Sequence, residues 1–328
     1  MNALLAALSL LLGCALALMV RDGAAALLVC ISAATVAGFV IRTTDTHRTF
    51  LLQIFIGGLL VRGVIGTIIY VSNAQEFFGG DALTYDFLGQ LILESWQDNM
   101  PTSIAEEMGR SGGGWGMPYL VALIYSVTGR NMLAVQLFNA VLGAATAPLI
   151  FLCARQIFGN LRVARIAAML VAFFPSLVLW SSQGLKDGPI VFLLALAMLA
   201  TLKLGERLSV GYLVVLVFSM LAVLTLRFYI FYMVAAAVAG SFLVGMRALS
   251  TQSVARQFAV VLFAGLMLTY LGVLRTASSQ IERFGNLEAI QRSRADLARS
   301  AKSGFGQDVD VSTASGALSV VPLGLVYL

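Results

Sequence analysis

The sequence predicts an all-α protein, a polytopic membrane helix bundle, and three observations carry that expectation. Of 328 residues, 59% are hydrophobic and only 11% charged, where a soluble domain carries about a quarter charged. Mean hydropathy is +0.92. The apolar residues also fall in long continuous runs, whereas a transmembrane barrel would show short alternating segments. About nine spans are expected, plus a truncated last one, with interfacial helices in an outer loop.

Composition narrows the chemistry further. The net charge of +5 comes from basic residues scattered through short loops, which signals topology and argues against a nucleic-acid partner. Cys14, Cys30 and Cys153 all lie inside apolar runs, so no disulfide framework is implied. His47 is the single histidine. Zinc sites and histidine-based triads are therefore unsupported, and acid–base work falls to carboxylates, Tyr or Lys.

Taken in order, residues 1–20 form a first apolar run. Leu11-Leu12-Gly13-Cys14 resembles a lipoprotein cleavage box, but no Lys or Arg precedes Arg21 and more apolar sequence follows, so the run reads as a retained span. A second span over 23–41 completes an N-terminal membrane hairpin, 1–41. A basic loop over 42–48 leads to a third span, 50–71. Arg62 lies near its middle, where a charge is costly and faces the bundle interior or a polar cavity. It reads as a structural partner or a snorkelling side chain, with a substrate role as the alternative.

The outer loop, 72–116, is acidic: Glu76, Asp81, Asp86, Glu94, Asp98, Glu106 and Glu107 stand against Arg110 alone. Gly79-Gly80 ends the preceding segment and Asp81 starts a new one. Asp81 and Tyr85, four residues apart, share a helical face. Two interfacial helices are expected, over about 81–97 and 103–110, separated by Asn99-Met100-Pro101. The glycine-rich stretch 111–116 reads as a hinge, with a phosphate cradle as the alternative. Residues 118–128 are apolar but too short to cross alone.

Further spans are expected over 132–154, 166–181, 189–202, 210–226, 228–246 and 258–274. Together with 42–131 they make up a core, 42–274. A polar outer loop over 275–316 follows, amphipathic through Ile281, Leu287, Ile290 and Leu297. Residues 317–328 begin another span, which suggests a fragment of a longer chain.

If 118–128 does not cross and the N-terminus is cytoplasmic, four short loops, 42–48, 155–165, 203–207 and 247–256, face the cytoplasm. They hold nine Lys or Arg against Asp45 and Glu206, as the positive-inside rule requires. The outer face then gathers the Asp81 loop, the 181–187 connection with Lys186 and Asp187, Arg227-Phe228-Tyr229, and the loop from Arg275.

These residues resemble the GT-C superfamily of polyprenyl-phosphate-sugar-dependent glycosyltransferases, in the branch of protein mannosyltransferases and lipid A aminoarabinose transferases. The resemblance runs over roughly 56–246. It rests on Gly80-Asp81-Ala82-Leu83-Thr84-Tyr85, on Trp115-Gly116-Met117-Pro118-Tyr119-Leu120, on 133–159 and on Phe174-Pro175-Ser176. In the family the acidic loop usually follows the first span; here it follows the third, which an added hairpin over 1–41 explains. Asp81 also lacks the second acid that often follows it there.

The resemblance implies an inverting membrane glycosyltransferase. A sugar would pass from a polyprenyl-phosphate donor to a hydroxyl of a glycan, lipid or protein acceptor, on the outer face of a plasma (bacterial inner) membrane. Asp81 would be the base. Arg227 and Lys186 would hold the departing phosphate, Asp187 would orient Lys186, and Tyr85 and Tyr229 would contact sugar. Asp86 is a further substrate-binding candidate. No cofactor is called, and a divalent metal held by Asp81 and Asp86 oxygens is left open. The alternatives are a polysaccharide polymerase or ligase acting through 275–302, and a transporter or flippase, which would show internal repeats and midplane charges.

Overall fold

The computed structural model describes residues 3–44, 47–78, 80–97, 114–244, 251–273, 286–301 and 309–326. Every regular element among them is helical. The chain forms two compact units, Met1–Val261 and Leu262–Leu328. The expected helix over 103–110 and the loop residues 275–285 lie outside the described residues.

The first unit opens with α1 (Ala3–Met19), α2 (Gly23–Thr44) and α3 (Arg48–Val71). A short 3-10 turn at Glu76–Phe78 leads to α4 (Asp81–Trp96). Gly80 makes that junction possible, because its φ of +67° is a left-handed conformation that glycine adopts without steric cost. Next come α5 (Gly116–Thr128) and the longest helix, α6 (Met132–Phe158). Asn131 caps α6 and reaches beyond it: its Oδ1 accepts from Ala134 N at 3.1 Å, and its Nδ2 donates to Asp22 O at 2.9 Å. The cap therefore also ties α6 to the α1–α2 turn.

Asn160, accepting from the Arg162 and Val163 amides, starts α7 (Leu161–Phe173). Phe174 then takes an extended conformation, φ −62° and ψ 120°, because the Pro175 ring excludes the helical region for the residue before it. α8 (Pro175–Ser181) follows at a bend of 51°. The single span expected over 166–181 is thus a broken pair. α9 (Asp187–Glu206), α10 (Val210–Leu226), α11 (Phe228–Val244) and α12 (Thr251–Tyr270) complete the apolar series.

α6 is the central post. It packs against α2, α3, α7 and α9 and is buried along most of its length. Ala144 and Ala147 on α6 share one cluster with Ala164, Ala168 and Ala172 on α7 and with Leu51, Ile54 and Phe55 on α3. Small side chains let helix backbones approach closely, which is how helices associate where lipid removes the hydrophobic drive.

Four helices, α2, α3, α6 and α9, are long and apolar enough to cross a membrane, or five spans if the bent pair α7–α8 counts as one. Five others, α1, α5, α10, α11 and α12, carry shorter apolar stretches of 10–17 residues. Among the described residues, helix length and composition thus support four or five spans and do not by themselves give the nine expected from sequence.

In the second unit, α13 (Leu287–Ala301) is the amphipathic segment expected from sequence, and α14 (Ala314–Val326) is apolar. The chain returns alongside α13. Arg294 Nη1 donates to Val309 O at 3.1 Å, and Gln291 Oε1 accepts from Val311 N at 3.1 Å. Backbone and side-chain bonds from Ser312 hold the Asp310 carboxyl below its usual range.

Candidate active site

The site begins with the break between α7 and α8. Ending a helix inside an apolar bundle leaves its last carbonyls without partners, and no water is at hand to take them. Arg62, on α3 and 1% exposed, supplies the donors. Its Nη1 donates to Ala172 O at 2.7 Å and to Gly58 O at 3.1 Å, its Nη2 to Val171 O at 3.4 Å, and its Nε to Ser181 Oγ at 2.8 Å. Gly143 on α6 permits this, since a Cβ there would stand 2.9 Å from Arg62 Nε and 2.5 Å from Ser181 Oγ. The structural reading of Arg62 is the one the hydrogen bonds support.

The connection between α8 and α9 is tucked inside, with Ser182, Gln183 and Leu185 buried. Asn139 on α6 pins it, its Nδ2 donating to both Gln183 O and Leu185 O at 2.7 Å. That fixed strap delivers Lys186 and Asp187 to one spot. Asp187 is the first residue of α9, where the helix dipole favours a carboxylate.

Arg227 arrives from another direction, as the single residue between α10 and α11. Its backbone is extended, φ −152° and ψ 100°, which turns the side chain out of both helices. Arg227 Nη2 lies 3.4 Å from Asp187 Oδ1. The ion pair that Asp187 forms among the described residues is therefore with Arg227, and not the expected orientation of Lys186. Lys186 Nζ instead sits 5.5 Å from the centre of the Tyr85 ring, a cation–π distance.

α4 brings Asp81 and Tyr85 on its first turns. Tyr85 OH is 3.5 Å from Asp81 Oδ2, the long limit of a hydrogen bond. Burial, then the Asp81 charge, push the Tyr85 phenol above its ordinary range, so it stays a neutral donor. Burial and then the Arg227 charge draw Lys186 down, against the opposite pull of Asp81 and Asp187.

Asp81, Asp187 and Arg227 line one cavity of about 470 Å³, together with Arg62, Ser181, Trp180 and Phe78. A volume of that order suits a small-molecule site. Tyr85 and Lys186 stand beside it. Tyr229 is half exposed, its ring 6.0 Å from Arg227 Cζ. Gly114 also reaches this region: a Cβ on it would lie 2.9 Å from Leu226 O and 3.8 Å from Lys186 Nζ. Sequence reasoning missed Trp180, Phe78 and Ser181 as lining residues, and no local pattern marks them.

Asp86 is elsewhere. Five residues beyond Asp81, it points about 140° around the helix. Its Oδ1 accepts from Tyr125 OH at 2.6 Å, and its Oδ2 pairs with Arg130 Nη2 at 2.6 Å. Those bonds raise the Tyr125 phenol, after burial, and also raise Arg130. Asp86 thus clamps α4 to α5 and to the start of α6, and does not join Asp81 as a metal-ligand pair. Among the described residues, no three His, Cys, Asp or Glu side chains cluster as a metal site.

The basic loops gather at the other end of the same helices. Arg155 Nη1 is 3.3 Å from His47 Nδ1, and Arg155, Lys203 and Arg207 share a second polar cavity. On α9, Asp187 and Lys203 are separated by ~24 Å of helix. A cavity of mixed charge with an ion pair thus occupies one end and a basic cluster the other.

An all-helical apolar bundle built this way is a multi-pass membrane protein. Residues 114–272 match the family model described as dolichyl-phosphate-mannose-protein mannosyltransferase, in the GT-C superfamily, and are in that stretch similar to membrane glycosyltransferases of that type. The matched stretch is just under half of the chain. It contains Lys186, Asp187, Arg227 and Tyr229, and it starts beyond Asp81, Tyr85 and Asp86. No curated protein and no solved structure matches.

Proposed function

We propose that the cavity transfers a sugar from a polyprenyl-phosphate donor to an acceptor hydroxyl on the outer face of the membrane. The observation that carries this reading is the meeting of Asp81, Asp187 and Arg227, from three segments distant in sequence, on one cavity. The topology is the one drawn from the basic loops: N-terminus cytoplasmic, about nine crossings once α1, α10, α11 and α12 are counted and α5 is not, and the Asp81 end outside a plasma membrane.

In the reaction, the acceptor oxygen attacks the anomeric carbon while its proton passes to the Asp81 carboxylate. The bond from that carbon to the phosphate oxygen breaks, and the phosphate leaves with the electron pair. Displacement from the opposite face inverts the anomeric centre. Charge growing on the leaving phosphate meets the Arg227 guanidinium, whose fork matches phosphate oxygens, with Lys186 adding a second positive charge. Asp187 holds Arg227 in place, and Tyr85 and Tyr229 offer sugar-facing rings.

The test has two readouts. With native cysteines replaced, single cysteines at the exposed positions Phe77, Tyr229, Arg162 and Arg207 are treated with an impermeant thiol reagent. The first two are expected to label on intact cells and the last two only after membranes are opened. Purified protein in liposomes is then expected to release polyprenyl phosphate from a polyprenyl-phosphate-linked sugar. Labelling of Phe77 and Tyr229 from opposite sides would exclude the shared site.

The lowered proton affinity of Lys186 gives a pH prediction. An ammonium drawn below the usual lysine range loses its charge earlier as pH rises, so the alkaline limb of kcat/KM reports its deprotonation. Lys186→Arg keeps the charge at any accessible pH. The alkaline limb is expected to move to higher pH in that variant, and an unmoved limb would remove Lys186 from the donor site.

A further inference from the structure

At the end of the bundle away from Asp81, two cavities share a wall. One, of about 510 Å³, is almost entirely apolar and runs along α2, α6 and α9. The other, of about 550 Å³, holds Arg155, Lys203 and Arg207 against Glu206. Thr44, Leu152, Leu199 and Tyr212 line both, so the basic pocket adjoins the apolar groove. Glu206 spends its charge on Lys203 at 3.3 Å, which leaves the pocket net positive. Gln156 also lines the pocket, and its Oε1 is buried without a hydrogen-bond partner among the described residues.

We propose that this is a binding site for an anionic phospholipid, with its phosphate among Arg155, Lys203 and Arg207 and an acyl chain in the groove. Basic pockets between membrane helices select anionic head groups, and the Arg forks fit phosphate oxygens. The apolar groove next to the basic pocket decides for a lipid over a free anion, because inorganic phosphate would gain nothing from apolar walls. A head-group hydroxyl would satisfy Gln156 Oε1. The site lies ~28 Å along α9 from Asp187, so it is separate from the Asp81 cavity and stands whether or not that cavity transfers a sugar. Under the proposed topology it faces the cytoplasmic leaflet, where it would make the enzyme responsive to anionic lipid content.

The experiment is native mass spectrometry of the full chain in detergent, with dioleoyl phosphatidylglycerol and dioleoyl phosphatidylcholine at equal concentration. Arg207→Glu reverses one charge at an exposed position, and Val40→Trp, at a position 54% exposed, narrows the groove. Thermal unfolding of each variant checks the fold. Phosphatidylglycerol is expected to be retained over phosphatidylcholine by about fivefold or more, with Arg207→Glu abolishing the preference. Val40→Trp is expected to lower retention of both lipids, and millimolar inorganic phosphate to displace neither. Equal retention of the two lipids by the unmodified protein would overturn the proposal. So would displacement by phosphate alone with Val40→Trp silent, which would mark a free-anion pocket.

Discussion

Asp81→Asn is expected to lower the rate of sugar transfer by about two to four orders of magnitude, the range that loss of a positioned general base commands. Asparagine keeps the shape of the side chain and removes the proton acceptor. Little stability is at stake, because Asp81 is exposed at the start of α4 and Tyr85 OH approaches its carboxylate at the long distance of 3.5 Å. The Arg227–Asp187 pair remains in place, so donor binding should persist while kcat falls. The measurement is single-turnover release of polyprenyl phosphate in liposomes, at donor concentrations spanning KM, beside a thermal unfolding curve. Retention of full kcat would remove Asp81 as the base and reopen the polymerase or ligase reading.

Arg62→Met is expected to destabilise the bundle by about 2 kcal/mol or more, since each buried carbonyl left unpaired costs about 1–3 kcal/mol. Two effects compete. Methionine relieves the cost of burying a cation, but it strands Ala172 O and Val171 O at the helix break, where no water can replace the guanidinium. The stranded carbonyls should win, because the break imposed by Pro175 remains in the variant. Arg62→Lys should fall between, offering a point charge where a fork is needed. Unfolding temperature in detergent reads the effect. If stability is unchanged while KM for the donor rises, Arg62 is a ligand of the cavity contents and not a structural tie.

Several features of the site were legible in the sequence because they depend on short-range rules. Asp81 and Tyr85 share a face because they are four residues apart, and Gly80 marks the start of their helix. Arg227 stood out as a charge between two spans with no loop. The misplacement of Asp86 was also legible, since a spacing of five turns a side chain away from its predecessor, while the pairing with Tyr125 and Arg130 that uses it was not. Phe174-Pro175-Ser176 enters the sequence reading only as part of the family resemblance, within a single span over 166–181, so the break and its consequence for backbone hydrogen bonding are overlooked there.

What the sequence by itself determined is the helical membrane class and most helix positions, because hydropathy and capping act within a few residues or on a whole segment. Only the tertiary structure decided that Arg62 caps a helix end 110 residues away, that Asp187 pairs with Arg227 rather than serving Lys186, and that Asp81 opens on the same cavity. Those outcomes depend on which helices lie side by side. That choice is made by close packing of small residues along α6, and it leaves no local trace in the chain.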